Sequence, residues 1–357
     1  MLLDLTASSV DLTRTVCDIP SVSGSEHVLA DAIEAAITPL AHLEVIRHGN
    51  TIVARTNLGR SQRVVIAGHI DTVPINDNLP ARTVEIDGEP YLWGRGTVDM
   101  KGGVAVQLKL AAELADPIVD ITWMWYDNEE VAASLNGLNL LSADRPDLFR
   151  ADFAILGEPS NGQVEGGCNG TLRAIVRTRG VRAHSARAWI GENAIHAAAP
   201  ILSRLAEYRA KSVQVEGLAY RESLSAVRIG GGVAGNVIPD LCEVEVNYRF
   251  APNKSAAVAE AHIRGVLEGF DIEITDAADG ARPGLDAPIA QQFVAAVGAE
   301  PRPKYGWTDV ARFSALGIPA VNYGPGDPHL AHHDEERVPF AQIDAVERGL
   351  RAWLTAR

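Results

Sequence analysis

Apolar residues along this chain come in two rhythms that alternate. Short runs at 51–56, 64–68, 121–126 and 153–156 are apolar almost throughout and have strand length. Between and before them the spacing is helical. Val28, Leu29, Ile33 and Ile37 share one face of 25–38, with Ser25 as the expected N-cap, and VAVQLKLAAELA at 104–115 predicts a second helix. Strands apolar on both faces, alternating with helices, predict an α/β fold with a mostly parallel sheet. From about 172 the rhythm changes to a strand (172–178), a helix (193–209), strands near 224–230 and 241–250, a helix (255–269) and a strand (271–275). That β-α-β-β-α-β order predicts a small α+β domain. The α/β character then returns, with a strand at 319–325 and a last amphipathic helix from about 340. The expected organisation is a discontinuous α/β domain, 1–171 with 286–357, holding an inserted α+β domain at 172–285.

Composition narrows the function classes. Of 357 residues, 46% are hydrophobic and 22% charged, the balance of a soluble globular protein. The formal charge is -14, from 32 Lys and Arg against 46 Asp and Glu, and no long basic stretch occurs. Nucleic acid and an anionic membrane are therefore poor partners. Cys17, Cys168 and Cys242 are widely spaced and odd in number, which fits a reducing compartment better than a disulfide framework. The opening segment lacks a basic n-region, and no uncharged apolar stretch reaches spanning length. The expected location is the cytoplasm.

Two of the apolar strands run straight into polar chemistry. VVIAGHIDTVP, 64–74, ends in His69 and Asp71, and the strand at 121–126 ends in DNEE. Asp99 in GRGTVDMKGG, Glu158 in LGEP, and His332 and His333 in AHHDEERV complete five such segments. Each alone has a plain structural reading: a hydrogen-bonded histidine, a turn former, a solvated acid. Together they would gather Asp71, Asp99, Glu129, Glu130 and Glu158 beyond the carboxyl ends of a parallel sheet, where α/β proteins bind ligands. Carboxylates so close resist ionisation unless a cation offsets them. Mixed histidine and carboxylate donors suit zinc, with cobalt or manganese as substitutes. In HID, side chains two apart point the same way, so Asp71 can hold the second ring nitrogen of His69. Neighbours in EE point apart, so Glu129 and Glu130 divide two jobs, metal ligand and proton shuttle, in an order the spacing leaves open.

The five segments, in this order and over the whole chain, resemble the two-zinc aminoacylase and carboxypeptidase superfamily. Within it, GRGTVDMKGG, GTLRAIVRTRGVRAHSARAWIGENAIH, GNVIPD and NYRF are most similar to the succinyl-diaminopimelate desuccinylase branch, and acetylornithine deacetylases share much of this text. The resemblance implies two Zn2+ per subunit. One would take His69, Asp99 and Glu158, the other Asp99, Glu130 and His332, with Asp99 bridging. Glu129 would be the general base and Asp71 would orient His69. The register of AHHDEERV points to His332 over His333, with Glu336 four residues on. The inserted domain becomes a lid and dimerisation domain, so a homodimer is implied. His184 would reach the partner's active site there, while Asn236, Arg249 and Arg312 fall at substrate-contact positions. The implied activity is hydrolysis of N-succinyl-LL-2,6-diaminopimelate, a step of lysine and diaminopimelate synthesis. The alternatives on the same scaffold are an acetylornithine deacetylase, another amino-acid deacylase or a carboxypeptidase.

Overall fold

The Arg63–His69 strand lies in the middle of a mixed sheet and is buried from Val64 to His69. In spatial order the sheet runs Glu44–His48, Thr51–Arg55, Asp120–Tyr126, Arg63–His69, Phe153–Leu156 and Ala320–Asn322, with short strands beyond. Pairing is parallel from Asp120–Tyr126 through to Ala320–Asn322 and antiparallel for the first two strands. This computed structural model describes residues 3–356, which form two units. The first comprises the chain up to Gly166, Pro283–Arg302, and everything from Arg312 on; the second comprises Gly167–Arg282 and Pro303–Ala311.

Unbroken apolar strands follow from coverage of both sheet faces. Helices Ser9–Cys17, Lys101–Glu113 and Phe340–Thr355 contribute to one hydrophobic core with the strands. Phe153, Phe293 and Trp353 form its aromatic centre, with Phe293 and Trp353 5.1 Å apart between ring centroids. Lys101 is fully buried at the start of its helix, and its ammonium donates to the carbonyls of Val16 (3.2 Å) and Ile19 (2.9 Å) as the chain leaves helix Ser9–Cys17. Burial lowers its pKa to about 8. The same helix passes the end of strand Phe153–Leu156 so closely that a Cβ on Gly103 would lie 2.3 Å from the Gly157 carbonyl oxygen. That contact brings a helix backbone against the loop that carries Glu158.

Two local expectations change. Ser25 is not the N-cap: the helix runs His27–Ile37 with Glu26 at the cap position, and Ser25 belongs to the turn before it, its N–H donating to Val22 O at 2.8 Å. The helix expected over 193–209 is two, Ala194–Ala197 and Ala199–Glu207. Pro200 has no N–H to donate and sits in the first turn of the second one instead. Three hairpins appear that apolar runs do not announce. They turn at His48–Thr51, at Ile86–Glu89 through Asp87 and Gly88, and at Val215–Leu218 through Glu216 and Gly217. In the last two, both central residues have positive φ, the backbone that two-residue hairpin loops require.

In the second unit, strands Ser223–Gly231, Leu241–Phe250, Gly170–Arg179 and Asp271–Ala278 form an all-antiparallel sheet in that order. Its core joins Leu172, Val176, Val244 and Val246 to Ile201 and Ile263 of the covering helices. The unit begins a few residues before 172 because Cys168 already pairs with Ala281. It also takes in 303–311, since Asn169 N donates to Lys304 O (3.2 Å) and Trp307 Nε1 to Asp279 O (3.0 Å). No described helix is long and apolar enough to cross a membrane.

Two outcomes follow. Gly103→Ala should destabilise the first unit by about 1–3 kcal/mol, the usual cost of overpacking, and lower the midpoint of a calorimetric melt by several degrees. An unchanged midpoint would show that the helix can shift away from Gly157 at little cost. All three cysteines are buried, and burial pushes Cys17 up to about 12 and Cys168 up to about 11. A disulfide reagent should therefore find no fast thiol in the folded protein and three after denaturation.

Candidate metal centre

His69 and Tyr126 end neighbouring parallel strands in register, so the residues that follow emerge side by side at the carboxyl edge of the sheet. The loop after Tyr126 is held by buried carboxylates. Asp71 accepts from Glu129 N at Oδ1 (3.0 Å) and from Glu130 N at Oδ2 (3.1 Å), where Ser23 Oγ also donates at 2.7 Å. Glu26, fully buried, accepts from Gly24 N (2.8 Å) and Asn128 N (3.2 Å). Three successive backbone N–H groups, 128 to 130, thus point at two acids, and Asn128 takes φ 58° to permit it. Burial, together with the charges of Asp71 and Asp127, raises the Glu26 pKa above the ordinary carboxyl value.

The side chains meet at Asp99. His69 Nε2 lies 3.1 Å from Asp99 Oδ1, and His332 Nε2 lies 3.3 Å from Asp99 Oδ2. His332 Nε2 is also 2.8 Å from Glu130 Oε1. The donor atoms of His69, Asp99 and Glu158 fall within 4.8 Å of one another, as do those of Asp99, Glu130 and His332. Two three-donor sets therefore share one carboxylate. A third grouping at the same spacing joins His69, Glu129 and Glu130, which places Glu129 beside both sets. His69 Nδ1 faces Asp71 twice over, at 3.0 Å from its backbone carbonyl and 3.4 Å from its carboxylate. His333 turns away, its Nδ1 accepting from Glu335 N at 3.1 Å.

Charge explains why this arrangement wants a cation. Burial alone would lower the His69 pKa, but Asp71 and Asp99 raise it well above the imidazole range. Hydrogen bonds to Asp99 and Glu130 push His332 up to about 10. Asp99, against burial, is held well below the usual carboxylate range by the same two histidines. Carboxylates outnumber imidazoles here, and a divalent cation answers that excess more completely than protons on two rings. Mixed N and O donors within a few ångströms, dry at His69 and partly open at His332, suit a divalent metal ion.

Glu26, Arg95 and Glu336 are buried parts of this edge that apolar periodicity does not single out as functional. Arg95 and Glu336 form an ion pair at 3.0 Å, and Glu336 also accepts from Val98 N (2.8 Å) and Asp99 N (3.0 Å). The recognisable sign was the acid four residues after His332; nothing in the spacing marked Arg95.

The remaining expected site residues lie apart from this centre in the chain. His184 is exposed on the second unit, where it pairs with Val237, and Ser185 N donates to Asn236 O at 2.9 Å. His184 and Asn236 are therefore neighbours. Arg249, half-buried on strand Leu241–Phe250, has Nε 3.1 Å from Asn247 Oδ1. Its pKa is lowered, first by burial and then by the adjacent Arg173 charge, a situation that an anion would relieve. Arg312 lies in helix Val310–Ala315, at the start of the first unit's last segment.

Comparison with known proteins places these features in a family. The description of peptidase family M20/M25/M40 matches residues 65–356. A Corynebacterium glutamicum succinyl-diaminopimelate desuccinylase is 48% identical over 364 residues, covering 99% of this chain and 98% of its own. A Mycobacterium tuberculosis protein that carries the same enzyme's name provisionally is 54% identical over 356 residues, 99% of either chain. Among solved structures, a Staphylococcus aureus tripeptidase shares the fold with a TM-score of 0.79 at 20% identity, over 99% of this chain and 98% of that one. The chain belongs to peptidase family M20/M25/M40 and is a metal-dependent hydrolase.

Proposed function

We propose that the chain hydrolyses N-succinyl-LL-2,6-diaminopimelate to succinate and LL-2,6-diaminopimelate. The observation that carries the hydrolytic reading is the pair of donor sets meeting at Asp99. The near full-length identity to the desuccinylases supports the substrate. His69, Asp99 and Glu158 would hold one zinc ion, and Asp99, Glu130 and His332 the other. Two such ions, when bound, polarise the amide carbonyl and make a water acidic enough to attack it near neutral pH.

The chain's own groups do the rest. Glu129, beside both donor sets and fixed through its backbone N–H to Asp71, takes the proton of the attacking water. The amide C–N bond then breaks, and Glu129 returns the proton to the departing nitrogen, so water is divided between succinate and the free amine. Asp71 keeps His69 in the tautomer that presents Nε2 to the centre. His184, exposed on the second unit, would supply a donor to the oxyanion from the partner of a homodimer. Asn236, next to it, and the arginines Arg249 and Arg312 would grip the substrate's polar groups.

The test compares substrates on zinc-loaded protein, with and without a chelator. Chelator-sensitive release of succinate, with N-acetylornithine and dipeptides turned over far more slowly, is the expected result. Preference for acetylornithine would transfer the same chemistry to a deacetylase. Separately, Glu129→Gln should lower kcat by about 10²–10⁴-fold, the usual worth of a positioned general base, while zinc uptake stays at the wild-type level. A variant with wild-type kcat would remove Glu129 from the proton path.

A further inference from the structure

Asp99 Oδ2 and His332 Nε2 lie 3.3 Å apart, close enough for the carboxylate to belong to two donor sets, yet neither residue stands on a long regular element. Asp99 precedes its helix, and His332 sits in a loop at φ 64°. Local backbone preference does not set their spacing. Arg95 and Glu336 lie beneath them, 3% and 0% exposed, and tie the two segments together. Glu336 Oε2 meets Arg95 Nη1 at 3.0 Å, and Oε1 accepts from both Val98 N and Asp99 N. Arg95 also donates to His333 O (3.3 Å) and, through Nε, to Pro74 O (3.2 Å) in the loop that follows Asp71. Gly94 N closes the ring onto Glu336 O at 3.0 Å.

We propose that the Arg95–Glu336 pair is a positioning device that sets the spacing between the Asp99 carboxylate and the His332 ring. It rests on the two-metal reading given above. A buried ion pair gains little stability over apolar replacements of the same shape, because desolvation offsets the attraction. What this pair supplies is register: one end accepts from the peptide N–H groups at Val98 and Asp99, the other end holds the carbonyl beside His332. Neither residue touches the reacting atoms, so both act through Asp99 and His332.

Glu336→Gln tests it with almost no change of shape. An amide has one oxygen, so it can satisfy the Val98 and Asp99 N–H groups or Arg95, but at the other position its NH2 meets a donor. Metal-stripped wild-type and variant would be titrated with zinc against a chromophoric chelator, and with cobalt by its visible spectrum. The expected result is one site weakened by about 10–100-fold, the usual effect of losing a group that orients a metal ligand. An altered cobalt spectrum and a lower kcat at unchanged KM should accompany it. Arg95→Lys, which keeps the charge with fewer donors, should fall between, and it decides the matter if Glu336→Gln does not fold. A merely structural pair would lower the melting temperature while leaving zinc affinity and the cobalt spectrum of the folded protein as in wild type, and that outcome overturns the proposal. Wild-type protein that takes up no zinc would overturn the two-metal reading and this inference with it.

Discussion

The rest of the structure depends on how many negative charges one sheet edge can hold. Asp71, Asp99, Glu129, Glu130 and Glu158 converge beyond the carboxyl ends of the parallel strands, and among the described residues two histidines, His69 and His332, stand with them. Repulsion would scatter these groups if they were left to their side chains. The fold restrains them by binding backbone as well as side chain. Asp71 and Glu26 take the N–H groups of 128–130, and Glu336 takes those of Val98 and Asp99. Acids that hold loops thus stand immediately behind acids that face the centre. The neutralising charge completes an arrangement whose loops are already fixed.

The parallel strands explain why the centre forms where it does. Register between His69 and Tyr126 delivers two chemical segments to one place, and the close pass of Gly103 by Gly157 packs a helix backbone against the segment carrying Glu158. The second unit serves a different need. Two of its exposed loops bring His184 and Asn236 together, and Arg249 and Arg173 stand near one another on neighbouring strands. They are carried on a unit with its own hydrophobic core.

Much of this was legible in the residues. Strands buried on both faces are apolar without interruption, so Arg63–His69, Asp120–Tyr126 and Phe153–Leu156 declare themselves, and a polar group ending such a strand is conspicuous. Strand ends alone brought Asp99 and Glu130 to one edge, but His332 joined them only through the resemblance, since nothing in a linear spacing of about 200 residues states proximity. Glu26 and Arg95 were not legible at all, because an acid or arginine that binds backbone reads as an ordinary surface charge until its burial is known. The hairpin through Asp87 and Gly88 carried a clear turn signal, but its strands are half-exposed and lack the apolar run that draws the eye. Pro200 was an equally plain sign that one helix is two.

The backbone straps have a consequence for how such a centre can change over time. Glu26 and Asp71 hold the 128–130 loop by its peptide groups, which every residue except proline possesses. Side chains at 129 and 130 can therefore be exchanged while the loop's path persists, with Asn128 at φ 58° the exception. A lineage carrying this strap can alter the donors it offers, and hence the ion and the bond it attacks, before it must rebuild the loop that bears them.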